Sequence, residues 1–297
     1  MRLIITIDNE QTSFAVWDTD EEQLTIIPLV DEMKDLSAPT LGRISARPYG
    51  IAIDNDAIYV NSNSVVATFD INTFEYKGLL DGVINTVNSH QMLRHGDYLF
   101  TCNPAVNTVG VYNLTTKQNK HYDVTLHDFI DTLPTLEHYR ELDIEHVNSI
   151  KYHNGSLYIL CRTYHTNKSK IIEVDADTFI TKQEYTKIGK LPHNIHVTDE
   201  YIYTLGTFNG KMYKYDRAND HLTNLNVEYF YNDWYMRGME VVDNIMYFCC
   251  STHPIKHSKH NISNTYAKLL SMNLDTCVIN EQHLPVTSPI CDIKILP

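Results

Sequence analysis

The chain has 297 residues, 43% of them hydrophobic and 21% charged, with 11 Gly and 10 Pro; this is the composition of a folded, soluble protein and excludes a disordered or linker-rich chain. The formal net charge of −13 repels phosphate backbones, so no nucleic acid partner is expected. No apolar run approaches the ~18 residues that span a bilayer and the apolar stretch in residues 1–8 is too short for a signal h-region, so no membrane partner is expected; six cysteines without C-x-x-C spacing read as reduced, buried thiols in a cytoplasmic protein.

From the N-terminus, residues 3–8, 13–18 and 24–29 read as three strands that lack an inner partner. A complete unit follows: Arg47-Pro48-Tyr49-Gly50-Ile51-Ala52-Ile53, an acidic-polar turn over Asp54, Asn55 and Asp56, then Ala57-Ile58-Tyr59-Val60. The same layout returns at 89–93 before 97–100, at 146–150 before 156–159, at 192–195 before 201–203 and at 237–240 before 246–248. A second repeat runs alongside it, an apolar β-rich run closed by Asp18, Asp70, Asn113, Asp175, Asp216 or Asn273. Asp and Asn there bond their own backbone and set a hairpin turn. Spacings of roughly 40–60 residues between copies are the signature of propeller blades of four antiparallel strands.

The pattern predicts blades over 47–80, 88–125, 146–187, 192–229 and 236–284. The tail, 289–295, has the inner-strand pattern without partners after it, so joining it to the first three strands completes a sixth blade and hides two sheet edges. The expectation is all-β, a six-bladed β-propeller over residues 1–297 as one domain, its last blade closed by the N- and C-terminal strands. Residues 31–46 and 122–145 are longer connections, and the spacing of Phe129, Ile130 and Leu133 ahead of Pro134 predicts a short helix in the second. A third, 252–266, carries His253, His257 and His260 but also Lys256 and Lys259, which repel cations; it reads as a solvated loop.

In a propeller the inner strands run side by side along the channel, so the residues that open them converge at one end of the axis. Alignment of the units gathers Arg47 and Tyr49, Asn88 and His90, His146 and Asn148, His193 and Asn194, and Arg237 and Glu240, with Asp292 from the split blade beside them. His90, His146 and His193 come from three successive blades, and three imidazoles with an open fourth position suit a divalent metal; zinc, iron or calcium is the cofactor expected. They sit at different offsets in the repeat, which leaves open whether their nitrogens meet. Arg47 and Arg237 offer the guanidinium fork that matches a carboxylate or phosphate, and Tyr49 offers a phenol as proton donor. Asn88, Asn148, Asn194 and Glu240 complete the expected ligand-binding set. There is no G-x-S-x-G elbow, Walker loop or dinucleotide fingerprint.

Phe129-Ile130, Glu145-His146-Val147-Asn148-Ser149, Leu191-Pro192-His193-Asn194, Met236-Arg237-Gly238-Met239 and Asp292-Ile293 stand in an order and spacing that resembles a family of uncharacterised bacterial propeller-like proteins with a domain of unknown function. That family's pattern is a His-Leu/Ile-Asn-Gly segment, then Pro-His-Ser, then Arg-Gly-Leu. The resemblance covers residues 88–297, with Ser149 in place of the family's Gly and Asn194 in place of its Ser. It implies the propeller fold and marks His146, Asn148, His193 and Arg237; it implies no settled activity.

The leading expectation is a propeller that binds a small polar, anionic ligand at the channel mouth and transforms it by metal-assisted hydrolysis or elimination. His146 and His193 would act as ligands or bases, Arg237 and Arg47 as anion holders, and Tyr49 as acid. The alternative is a non-catalytic protein-interaction or metabolite-sensing propeller.

Overall fold

Six side chains account for the repeat. The Oδ1 atom of Asp18 accepts the backbone N–H groups of Asp20 and Glu21, and Asp70, Asn113, Asp175, Asp216 and Asn273 each do the same for the residues two and three positions on. Each such bond ends a strand locally and reverses the chain. The computed structural model describes residues 1–8, 11–34, 48–62, 65–81, 89–131, 133, 144–163, 169–186, 188–207, 210–225, 234–252 and 266–297.

In chain order the strands are β1 (Arg2–Ile7), β2 (Thr12–Asp18), β3 (Gln23–Pro28), then β4 (Pro48–Ile53), β5 (Ala57–Ser62), β6 (Val65–Asp70) and β7 (Tyr76–Leu79) of blade 1. Blade 2 holds β8 (Met92–His95), β9 (Tyr98–Asn103), β10 (Thr108–Asn113), β11 (Asn119–Asp123) and β12 (Asp128–Ile130). Blade 3 holds β13 (Val147–His153), β14 (Ser156–Cys161), β15 (Lys170–Asp175) and β16 (Thr181–Tyr185); blade 4 holds β17 (Pro192–Val197), β18 (Tyr201–Gly206), β19 (Lys211–Asp216) and β20 (His221–Leu225). Blade 5 holds β21 (Trp234–Val242), β22 (Ile245–Thr252), β23 (Lys268–Asn273) and β24 (Ile279–His283). Blade 6 has the order β25-β1-β2-β3, with β25 (Ile290–Ile295) as its inner strand.

The six inner strands β4, β8, β13, β17, β21 and β25 each pack on the next, and β25 packs on β4, which closes the ring. Closure is made by the two chain ends, antiparallel with Leu3 opposite Ile295, Ile4 opposite Lys294 and Ile5 opposite Ile293. Both faces of β1 are buried. Leu3, Ile5 and Ile7 pack with Leu269 and Leu284 of blade 5, while Ile4 packs with Ile51, Ile58 and Phe69 of blade 1. Alternate residues of one strand therefore hold two neighbouring blades, the period-2 geometry of a strand used on both sides.

Two expectations need correction. Phe129 and Ile130 lie in a strand, not a helix: β12 adds to the outer edge of blade 2, with Tyr122 opposite Phe129 and His121 opposite Ile130. The reason is one more Asp turn, since Asp123 Oδ1 accepts from the N–H groups of Thr125 and Leu126 and folds the chain back. The cysteines are free, and Cys102, Cys161, Cys249, Cys250 and Cys291 are buried, but Cys277 is exposed in the turn after Asn273. Among the described residues no helix is long and apolar enough to cross a membrane.

Candidate functional site at the channel mouth

Every inner strand carries the same irregularity. The pairing register shifts between Pro48 and Ile51, between Val147 and Ser149, between His193 and Ile195, and between Arg237 and Met239, and β25 passes from Ile290 to Asp292 while its partner advances one residue, from Ile7 to Thr6. In blade 2, His90 N donates to Cys102 O at 2.8 Å while Cys102 N donates to Gln91 O at 3.0 Å, so two residues again oppose one. These are β-bulges, which bend a strand and re-aim the side chains beside them. Alignment on the bulge puts Tyr49, His90, Val147, His193, Arg237 and Ile290 at one position of the repeat. His146 sits one residue earlier and reaches the same space by another route. Its backbone is left-handed, with φ of 47°, and is pinned by Asn107 Oδ1, which accepts from the N–H groups of Glu145 at 2.8 Å and His146 at 3.3 Å.

The result is a buried cluster. One ligand nitrogen from each of His90, His146 and His193 can be chosen so that all lie within 4.8 Å of one another, and all three residues are buried. The His90 ring stands edge-on to His146 at 5.2 Å and tilted to His193 at 6.0 Å, and Tyr49 stacks on His90 at 5.4 Å with an interplanar angle of 12°. Arg237 Nη2 donates to His193 Nε2 at 2.9 Å, and its Cζ lies 4.7 Å from the centre of the Tyr235 ring. Thr207 Oγ1 lies 2.5 Å from His193 Nδ1. Arginine has only donors, so Nε2 of His193 is the acceptor, its proton is on Nδ1, and that N–H donates to Thr207.

Burial pushes the pKa of all three histidines well below the ordinary imidazole value, and the nearby Arg237 and Arg162 guanidinium groups add to the effect. They are neutral at physiological pH, which is the form that carries a metal-binding lone pair. Burial also opposes the charge on Arg237, but Tyr235, Cys291, Tyr49 and Asp8 hold its pKa up. The cluster is thus neutral imidazoles between buried cations, within a protein whose net charge is −13.

The asparagines stitch the blades together. Asn148 Nδ2 donates to Pro192 O at 3.0 Å, and Asn194 Oδ1 accepts from Gly238 N at 2.9 Å. Asn148 Oδ1 and Asn194 Nδ2 have no hydrogen-bond partner among the described residues. Below the histidines, Asp292 accepts from Ile51 N at 3.1 Å and Gln91 Nε2 at 2.8 Å, and Gln91 in turn accepts from the Ser149 hydroxyl. Glu240 lies apart from the histidines. Its carboxylate bonds Lys151 and Lys294 and lines, with Arg94, a cavity of about 290 Å³ where the inner strands end. Arg47 and Asn88, like His253, His257 and His260, lie outside the described residues.

Sequence reasoning missed Arg162, Thr207 and Tyr235. Arg162 and Thr207 each continue a second strand by one residue and bond the backbone at the mouth, Arg162 N to His146 O and Thr207 N to Leu191 O. The available signal was a charged residue directly after the apolar strand 156–161.

No family model matches the chain, and no curated protein matches it. Solved structures do. A crystal structure of a nidogen/laminin complex contains a chain with a TM-score of 0.65 at 10% identity, covering 99% of this chain and 97% of that one. A protein of unknown function from Bacteroides caccae gives 0.66 at 9% identity, covering 98% and 97%. Kuenenia stuttgartiensis hydrazine synthase gives 0.58 at 12% identity, covering 85% and 70%. At these identities the likeness shows the fold, a six-bladed β-propeller, and nothing of the chemistry at its axis.

Proposed function

We propose that this propeller holds a divalent transition metal on His90, His146 and His193 and acts there on a small anionic molecule by hydrolysis or elimination. One observation carries the reading, the approach of three neutral, buried imidazoles from successive blades to within 4.8 Å of one another. An all-nitrogen donor set suits zinc or iron, whereas calcium takes oxygen ligands. When bound, such a metal polarises an oxygen of the substrate and lowers the pKa of water. The chain's own residues supply the rest. Thr207 accepts from Nδ1–H and holds the orientation of His193, the outer-shell role that metal-site histidines require. Arg237 and Arg162 favour an anion over a neutral ligand. Tyr49, flat against His90, brings a phenol that donates a proton to a leaving group.

The test is elemental analysis of protein purified without a chelating tag and reconstituted with zinc or ferrous iron. One equivalent per chain is expected, and its loss in a His146→Ala/His193→Ala double variant whose circular dichroism matches the wild type. Wild-type protein that takes up no metal would favour the non-catalytic interaction or sensing propeller.

A further inference from the structure

Arg237 occupies the lone pair that a metal would need. The Nε2 atom of His193 accepts one N–H from the guanidinium at 2.9 Å, and it cannot serve that donor and a metal at once. The guanidinium feels the Asp8 charge but hydrogen-bonds no carboxylate among the described residues. Arg237 is 8% exposed, and among the described residues its Nε has no hydrogen-bond partner and its Nη1 reaches only the Cys291 sulfur at 4.0 Å. Its one close nitrogen acceptor is neutral. A buried cation whose paired donors meet no oxygen retains part of its desolvation cost. A two-oxygen anion such as a carboxylate or phosphate would match the fork and remove that cost.

On the basis of the metal reading, we infer that Arg237 couples two ligand sites at the mouth. Without ligands, it caps His193. An anion draws the guanidinium off Nε2 and leaves the lone pair for the metal. A metal, by taking Nε2 and repelling the like charge, turns the guanidinium toward an anion. Each ligand therefore raises the affinity for the other by the same factor, as linkage requires. The substrate class is a small carboxylate or phosphate ester whose anionic end lies on Arg237 against the Tyr235 ring.

The experiment measures zinc affinity of the full chain, at free zinc set by a chelator buffer, with and without acetate or sulfate at matched ionic strength. Wild-type protein is expected to bind zinc at least about 5-fold more tightly when the anion is present, the low end of coupling between sites. Arg237→Met is expected to bind zinc more tightly than wild type without anion and to lose most of the anion effect, with Arg162 left in place. Zinc affinity that ignores the anion in wild type, or an Arg237→Met protein that binds zinc no better, overturns the coupling while the metal reading stands. If neither protein binds zinc, both fall. The wild-type anion arm needs no substitution, so a variant that fails to fold leaves the proposal testable.

Discussion

The hydroxyl of Thr207 and the Nδ1 atom of His193 lie 2.5 Å apart, both residues buried in one blade. Thr207 follows β18 directly, and its N–H bonds Leu191 O, two residues before His193. The same short stretch of chain therefore sets the backbone that presents His193 and the acceptor that orients its ring. His193 is preorganised before any ligand arrives.

Thr207→Val keeps the shape and removes the acceptor. A buried imidazole N–H left without a partner costs about 1–3 kcal/mol, and loss of an outer-shell partner lowers metal affinity about 10–100-fold. Thr207→Ser should restore most of both. Urea denaturation and zinc titration of the three proteins check this, and equal zinc affinity for Thr and Val would remove Thr207 from the site.

Glu240 predicts an acid-sensitive element at the other end of the channel. Its two carboxylate oxygens each take a lysine at 2.9 Å, Lys151 and Lys294, and it is 16% exposed. Burial pushes its pKa up, but the two ammonium groups prevail and hold it well below the ordinary value of 4.5. A depressed carboxylate stabilises the fold fully above its unfolded pKa and progressively less as pH falls below it. Glu240→Gln should therefore cost about 3 kcal/mol at pH 7, where it leaves two partly buried ammonium groups one neutral amide oxygen in place of a carboxylate. The gap to wild type should narrow below pH 4.5. Denaturant midpoints at pH 7, 4.5 and 3 decide it; a constant gap would place the lost stability in packing instead of charge.

The blades were legible because their cause is local. An Asp or Asn that captures two amides within three residues shows in the sequence, as at Asp70 and Asn273, and six of them at blade spacing describe a closed ring. The same signal at Asp123 was present and was outweighed by the helical spacing of Phe129 and Leu133. The meeting of His90, His193 and Arg237 was legible in outline, since all open inner strands. The bulge that brings them into one layer was not, because it is a count of two residues against one across a pair of strands and belongs to neither alone. His146 was the least legible. It reaches the cluster through a left-handed backbone held by Asn107 from the preceding blade, a contact 39 residues away in sequence. Arg162 and Thr207 escaped for a related reason, as they join the site from second strands and not from inner ones.

The bulge of blade 1 brings β4 against the segment that carries His90. A Cβ at Gly50 would lie 2.5 Å from His90 O, 2.9 Å from Gln91 Cα and 2.9 Å from Met92 N. All three are backbone atoms, so no side chain can rotate away, and β4 or the segment entering β8 must move. That segment is held to blade 1 by Asn61, whose Nδ2 bonds His90 O and whose Oδ1 accepts from Gly50 N at 2.7 Å. Gly50→Ala should cost about 1–3 kcal/mol as an overpacked contact and should displace His90 from His146 and His193, so zinc affinity falls with stability. Gly96 is the control. Its φ is 54°, and among the described residues nothing would lie within 4 Å of a Cβ there, so Gly96→Ala should cost about 1–2 kcal/mol from the left-handed backbone alone and leave zinc binding unchanged. If both alanine variants lose stability equally and bind zinc like wild type, the close approach of β4 to His90 does not position the cluster.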